Sequence, residues 1–117
     1  MHVRWSEDDG PVAPLLTRLK RRVSALTDPA LVRQFKIGIT ADPERRARRA
    51  DYDGRYDEMV VLYGSRRLRD VQHAETVLID HNWDLTDNLA SGGGGATRLA
   101  PPPYFVYLVR RFRRWRW

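Results

Sequence analysis

With 117 residues, 42% of them hydrophobic and 31% charged, the chain has the length of one domain and enough apolar side chains for a core of its own. No apolar run is long enough to span a bilayer, and the absence of cysteine excludes a disulfide framework or a thiolate metal site. The formal net charge of +6 points toward a polyanionic partner, nucleic acid before an anionic membrane surface, and five arginines in the last eight residues, RRFRRWRW, hold most of that excess.

The opening MHVRWSEDDG is polar and acidic and lacks the basic start and apolar middle of a secretory signal, so a cytoplasmic or nuclear protein is expected. In PLLTRLKRRVSAL, residues 14–26, Leu15, Leu16, Leu19, Val23 and Leu26 recur at helical spacing, and Pro14 is tolerated in a first turn. The following TDP ends that helix, because the residue before a proline is pushed out of the α region. In FKIGI the apolar Phe35, Ile37 and Ile39 alternate with Lys36 and Gly38, the period of a strand with one buried face. Asp42 before Pro43 is a helix start, and the spacing predicts a short helix over 43–51. EMVVLYG, 58–64, reads as a buried strand, and a second long helix is expected over 67–83. On that helix Glu75 lies four residues after Val71 and three before Leu78, which aims its carboxylate inward. Residues 87–103 are loop by composition, and YFVYLV, 104–109, reads as a last strand that RRFRRWRW either extends or trails.

These elements imply an α+β fold with a small three-stranded, mostly antiparallel sheet flanked by helices. The expected organisation is a single domain: an N-terminal helical extension over 1–34, a core over 35–109 and a basic Arg/Trp tail over 110–117.

KIGIT, DPERR, MVVLY, the helical AETVLI and an asparagine ahead of a glycine-rich turn together resemble the GIY-YIG endonuclease family over roughly residues 35–95. Carried over from Gly38, the resemblance implies Arg46 as the arginine that binds the scissile phosphate, with Arg45 as its neighbouring candidate. It implies Glu75 as the carboxylate holding one Mg²⁺ or Mn²⁺, and Asn88 as the supporting asparagine. The chemistry agrees: phosphodiester hydrolysis needs charge neutralised on phosphorus, which a guanidinium and a hard cation do, and Mg²⁺ requires only one or two carboxylates. Two features depart from the pattern. No first signature strand precedes KIGIT, and Lys36 stands where the second signature has a tyrosine. If YFVYLV pairs beside FKIGI, the C-terminal strand restores the sheet by a rearranged connection and returns Tyr104 or Tyr107 to the site. Alternation favours Tyr107, which leaves Val106 and Leu108 for the core. Lys36 then serves as a phosphate ligand or, if desolvated, as a base.

Bland readings stand beside these. Arg45, Arg46, Arg48 and Arg49 fit a solvated helix face, SGGGG a surface turn, and His2, His73 and His81 lack metal-ligand spacing. The sequence thus supports metal-dependent hydrolysis of DNA or RNA with Arg46, Lys36, Tyr107 and Glu75 in catalytic roles. The alternative is a non-catalytic nucleic-acid-binding or structural protein on the same scaffold. In either case Arg45, Arg46, Arg49, Asn88, Arg110, Arg111, Arg113, Arg114, Trp115 and Trp117 are the expected nucleic-acid contacts, since guanidinium groups take phosphates and indoles stack on bases.

Overall fold

The period-two alternation read in FKIGI governs the centre of the molecule. The computed structural model describes residues 1–88 and 100–114. In chain order its elements are β1 (His2–Asp8), α1 (Val12–Leu26), β2 (Val32–Thr40), α2 (Pro43–Ala47), β3 (Glu58–Ser65), α3 (Leu68–His81) and β4 (Tyr104–Phe112). The strands form one sheet in the order β1-β3-β4-β2. β4 pairs antiparallel with both β2 and β3, whereas β1 runs parallel to β3.

Among the described residues the fold is therefore α+β with a four-stranded mixed sheet and three helices, one strand more than the three-stranded, mostly antiparallel sheet expected. The missed strand is β1. His2, Arg4, Trp5, Ser6 and Glu7 are all exposed, so the strand has no buried face for alternation to reveal. Residues 1–34, expected as a helical extension, contribute an edge strand and a helix to the same sheet and core.

Alternation divides the apolar side chains between two layers. On one face, α1 and α3 cover Ile37, Ile39, Val60, Leu62, Val106 and Leu108 through Leu19, Val23, Val71 and Leu78. Each such side chain removed from water contributes about 1.5–3 kcal/mol before entropy is counted. On the other face a smaller cluster joins Ala47 of α2 with Tyr52, Tyr56, Met59, Tyr107 and Val109. Tyr107 belongs to this second face because it alternates with Val106 and Leu108 on β4.

α2 starts where the sequence predicts. Asp42 accepts a hydrogen bond from the Arg45 amide at 3.1 Å, and Pro43 opens the first turn. It ends at Ala47 rather than near 51, and hydrogen-bonded turns through Arg49, Tyr52 and Tyr56 carry the chain to β3. The two edges of the sheet differ. Along β2 the Asp87 amide donates to Phe35 O at 2.8 Å, and Asn88 grips both backbone groups of Ile37. Along the outer edge of β1 no described residue hydrogen-bonds to the backbone. Among the described residues no helix is long and apolar enough to cross a membrane.

Candidate nucleic-acid interface

Gly38 on β2 stands directly across from Tyr107 on β4, on the face away from α1 and α3. The Tyr107 ring lies over the glycine: a Cβ there would come 2.6 Å from Tyr107 Cζ and nearer still to its hydroxyl. Glycine is thus required by a close approach rather than by a turn. YFVYLV does pair beside FKIGI, and of the two tyrosines it is Tyr107 that shares the face of Gly38. Tyr104 points into the other cluster and donates to Ala100 O at 2.8 Å.

The Asp42 cap and Pro43 turn the chain so that α2 carries Arg46 back over this face. Its Nη1 donates to the Tyr107 hydroxyl at 3.1 Å, and the Tyr52 and Tyr107 hydroxyls share a 2.6 Å hydrogen bond. Burial pushes the Tyr107 phenol well above its usual range, with Tyr52 adding to the shift and Arg46 opposing it. The hydroxyl therefore stays protonated near neutral pH, hydrogen-bonded to Tyr52 and Arg46. Burial works against the Arg46 charge, but the two phenols outweigh it and hold its pKa above the ordinary arginine value.

Cations surround the phenols. Lys36 Nζ lies 5.5 Å from the Tyr52 ring centroid, Arg49 Cζ 5.7 Å from the same ring, and Arg46 Cζ 6.0 Å from that of Tyr107. Arg111 opposes Gln34 while Val109 opposes Lys36, so Arg111 and Lys36 are diagonal neighbours on this face. Arg49 is bonded to Asp51 at 3.0 Å, but Lys36, Arg46 and Arg111 have no carboxylate within salt-bridge reach among the described residues. A ring face steadies a cation by about 0.5–1 kcal/mol without neutralising it, so the charge stays available to an anion. Arg45 is exposed beside them, and its backbone amide serves the helix cap.

Other expected contacts fall elsewhere. Glu75 is inward-facing as read, and only 2% exposed, but α3 packs on the opposite face of the sheet from Arg46 and Tyr107. Asn88 is committed to the β2 edge, its Oδ1 accepting from the Ile37 amide at 3.0 Å and its Nδ2 donating to Ile37 O at 2.7 Å. It clips the edge of the sheet. Arg110 is likewise structural: it bonds Glu58 at 2.8 Å, donates to Leu26 O and stacks on Phe112, because β4 runs three residues beyond the expected strand. Arg113 donates to Pro29 O and Arg114 pairs with Asp57, both at exposed positions. Trp115, Trp117 and the SGGGG segment lie outside the described residues.

These positions do not make a ready site for Mg²⁺ or Mn²⁺. Among the described residues no three acidic or histidine side chains converge, and the carboxylates near α2 are engaged, Asp42 by its cap and Glu44 by the Trp5 indole. An open cleft of about 870 Å³ lies away from these residues, between Asp9, Arg66, Arg67, Asp70 and Phe105.

Tyr52 was not singled out by sequence reasoning. It sits in DYDGRYDE, where an aromatic between charged turn residues was the available signal, and its role emerges only once α2 folds it onto Tyr107. A scan against protein-family models, a search of curated proteins and a search of solved structures each return no match to this chain.

Proposed function

We propose that the chain binds nucleic acid through the phosphate backbone, on the sheet face around Tyr107. The scaffold of this reading is GIY-YIG-like, with β4 taking the place of the first signature strand. The observation that carries it is the set of cations Lys36, Arg46 and Arg111, unneutralised by any described carboxylate and two of them steadied on phenol rings. Arg46 spends one N–H on Tyr107 and keeps the rest of its fork for phosphate oxygens.

The test is binding of labelled single-stranded DNA, duplex DNA and RNA by fluorescence anisotropy across a salt series. Affinity is expected to fall steeply with salt, and Lys36→Ala, Arg46→Ala and Arg111→Ala are each expected to reduce the slope of log K against log salt by about 1. Salt-independent binding, or slopes unchanged in all three variants, would overturn the reading. Arg110→Ala serves as the control, since its charge is already matched by Glu58.

A second reading, hydrolysis of the bound phosphodiester, is supported by one observation: Gly38 stands across from Tyr107, whose hydroxyl accepts a hydrogen bond from Arg46. Incubating wild type and Arg46→Ala with plasmid, single-stranded DNA and RNA plus Mn²⁺ decides it. Cutting by wild type alone supports hydrolysis; no cutting, or equal cutting by both, refutes it.

A further inference from the structure

The sheet face that carries Arg46 and Tyr107 also carries two aromatic side chains that the phosphate contacts do not use, Trp5 and Phe105. Strand pairing sets Trp5 of β1 across from Val61, Val61 across from Tyr107 and Tyr107 across from Gly38, one row over the whole sheet. Paired residues point to the same side, so the indole stands on the face of Arg46, two strand spacings or about 10 Å from Tyr107 along the row. Phe105 precedes Tyr107 by one full period on β4 and shares that face. Its ring lies over Gly64 of β3, where a Cβ would come 3.1 Å from Cδ1 and Cε1. The ring therefore leans toward β1 and meets Trp5 at right angles, the centroids 5.2 Å apart. A perpendicular contact engages the face of only one of the two rings. Trp5 is 44% exposed, and Phe105 lines the open cleft of about 870 Å³. The indole N–H donates to Glu44 at 3.0 Å, on the helix that also carries Arg46, so the exposed ring is held in place.

We propose that Trp5, with Phe105 beside it, stacks a base of a strand whose phosphates lie on Lys36, Arg46 and Arg111, so that this face takes single-stranded DNA or RNA in preference to duplex. This inference rests on the phosphate reading above. A stacked strand advances about 3.4 Å per nucleotide, so the row from Tyr107 to Trp5 spans about three nucleotides, and fewer in a stretched strand. An indole accepts any base, because every base has a π-face. The bases of a duplex keep their faces on one another and offer only their edges in the grooves. An indole already held by Glu44 also gives up little freedom when a base settles on it.

The test compares strands with and without bases by fluorescence anisotropy at one salt concentration and then across a salt series. The probes are an oligonucleotide of about 12 nucleotides as DNA and as RNA, its DNA duplex, and a strand of equal length built of tetrahydrofuran abasic residues. Trp5→Ala should weaken binding of the base-bearing single strands by about 5- to 150-fold, with the duplex, the abasic strand and the salt slope unchanged. A loss on DNA alone or RNA alone identifies that strand as the ligand. Trp5→Phe keeps a ring and should lose less; a loss equal to that of Trp5→Ala would assign the effect to the Glu44 hydrogen bond and overturn stacking. An equal loss on the abasic strand, or no loss on any strand, overturns it as well. The two readings fail separately. Salt-dependent binding of the abasic strand with no effect of Trp5→Ala keeps the phosphate contacts and removes the stack. Trp5-dependent binding of base-bearing strands, with slopes unchanged in the Lys36, Arg46 and Arg111 variants, keeps the stack and removes the phosphate contacts. A chain that binds none of the four probes overturns both.

Discussion

Replacing Gly38 by alanine tests the centre of the proposed interface with one methyl group. The new Cβ would stand 2.6 Å from Tyr107 Cζ and 3.0 Å from Cε2. Real Cβ contacts do not come so close, so the ring has to move. It has little room, because Tyr107 is fully buried and its hydroxyl is held by Tyr52 at 2.6 Å and Arg46 at 3.1 Å. Overpacking of this kind costs about 1–3 kcal/mol. Displacing a buried hydroxyl from its partners costs a similar amount, roughly 1–3 kcal/mol. Against this, alanine loses less backbone entropy than glycine on folding, an offset of about 0.5–1 kcal/mol. The expected net loss is about 1–5 kcal/mol, read by urea denaturation with the m-value held in common. The assay should include Tyr107→Leu and the double variant. If the clash is the cause, removing the ring relieves it, and the double variant should be less destabilised than the two single losses together. A Gly38→Ala protein within about 0.5 kcal/mol of wild type, the usual spread of surface substitutions, would refute the reasoning.

Three further outcomes are expected. Tyr107→Phe removes one hydroxyl from a buried pair and should cost about 1–3 kcal/mol by thermal denaturation while leaving the salt dependence of nucleic-acid binding intact, since Lys36, Arg46 and Arg111 remain. Asn88→Ala unclips the β2 edge, and amide exchange at Ile37 should accelerate, because that N–H loses its acceptor. At alkaline pH the phenols decide stability: burial raises the pKa of Tyr107, Tyr56 and Tyr63 in the folded chain, Tyr56 also through Asp87. Their contribution is complete below the unfolded tyrosine value of about 10 and is lost as pH rises beyond it, so unfolding should accompany the phenolate absorbance change.

How far the sequence could be read depended on how one-sided each element was. β2 was legible because Phe35, Ile37 and Ile39 are buried in the helix-covered core while Lys36 and Gly38 face the other way. α3 was legible for the same reason, its inward stripe including Glu75 as expected. β1 was not, since an exposed edge strand carries no hydrophobic period, and its parallel pairing with β3 depends on where α1 returns the chain. The pairing of YFVYLV beside FKIGI, with Tyr107 on the face of Gly38, was legible from alternation, and the resemblance pointed to Arg46, which the structure brings to the Tyr107 hydroxyl. The clip formed by Asn88 and the ion pair of Arg110 with Glu58 were not foreseen for those two residues. An asparagine side chain that replaces a strand's hydrogen bonds looks, in sequence, like one that points at a substrate. Of the two readings of RRFRRWRW, the structure takes the extension as far as Phe112, which brings Arg110 against Glu58.

The geometry also bears on why binding is the better-supported reading of this face. A phosphate oxygen can reach Arg46 without disturbing Tyr107, because one guanidinium N–H satisfies the phenol and the others remain. Hydrolysis asks for more: a group that takes a proton from water, within hydrogen-bond reach of the phosphate. Tyr107 is protonated, buried and already bonded on its hydroxyl. Glu75 is held in the other layer of the sheet. What is assembled around Gly38 is therefore a rigid mount for positive charge. The Tyr52 hydroxyl holds that of Tyr107, which accepts from the Arg46 guanidinium, and Lys36 and Arg111 stand as diagonal neighbours on the same face of β2 and β4.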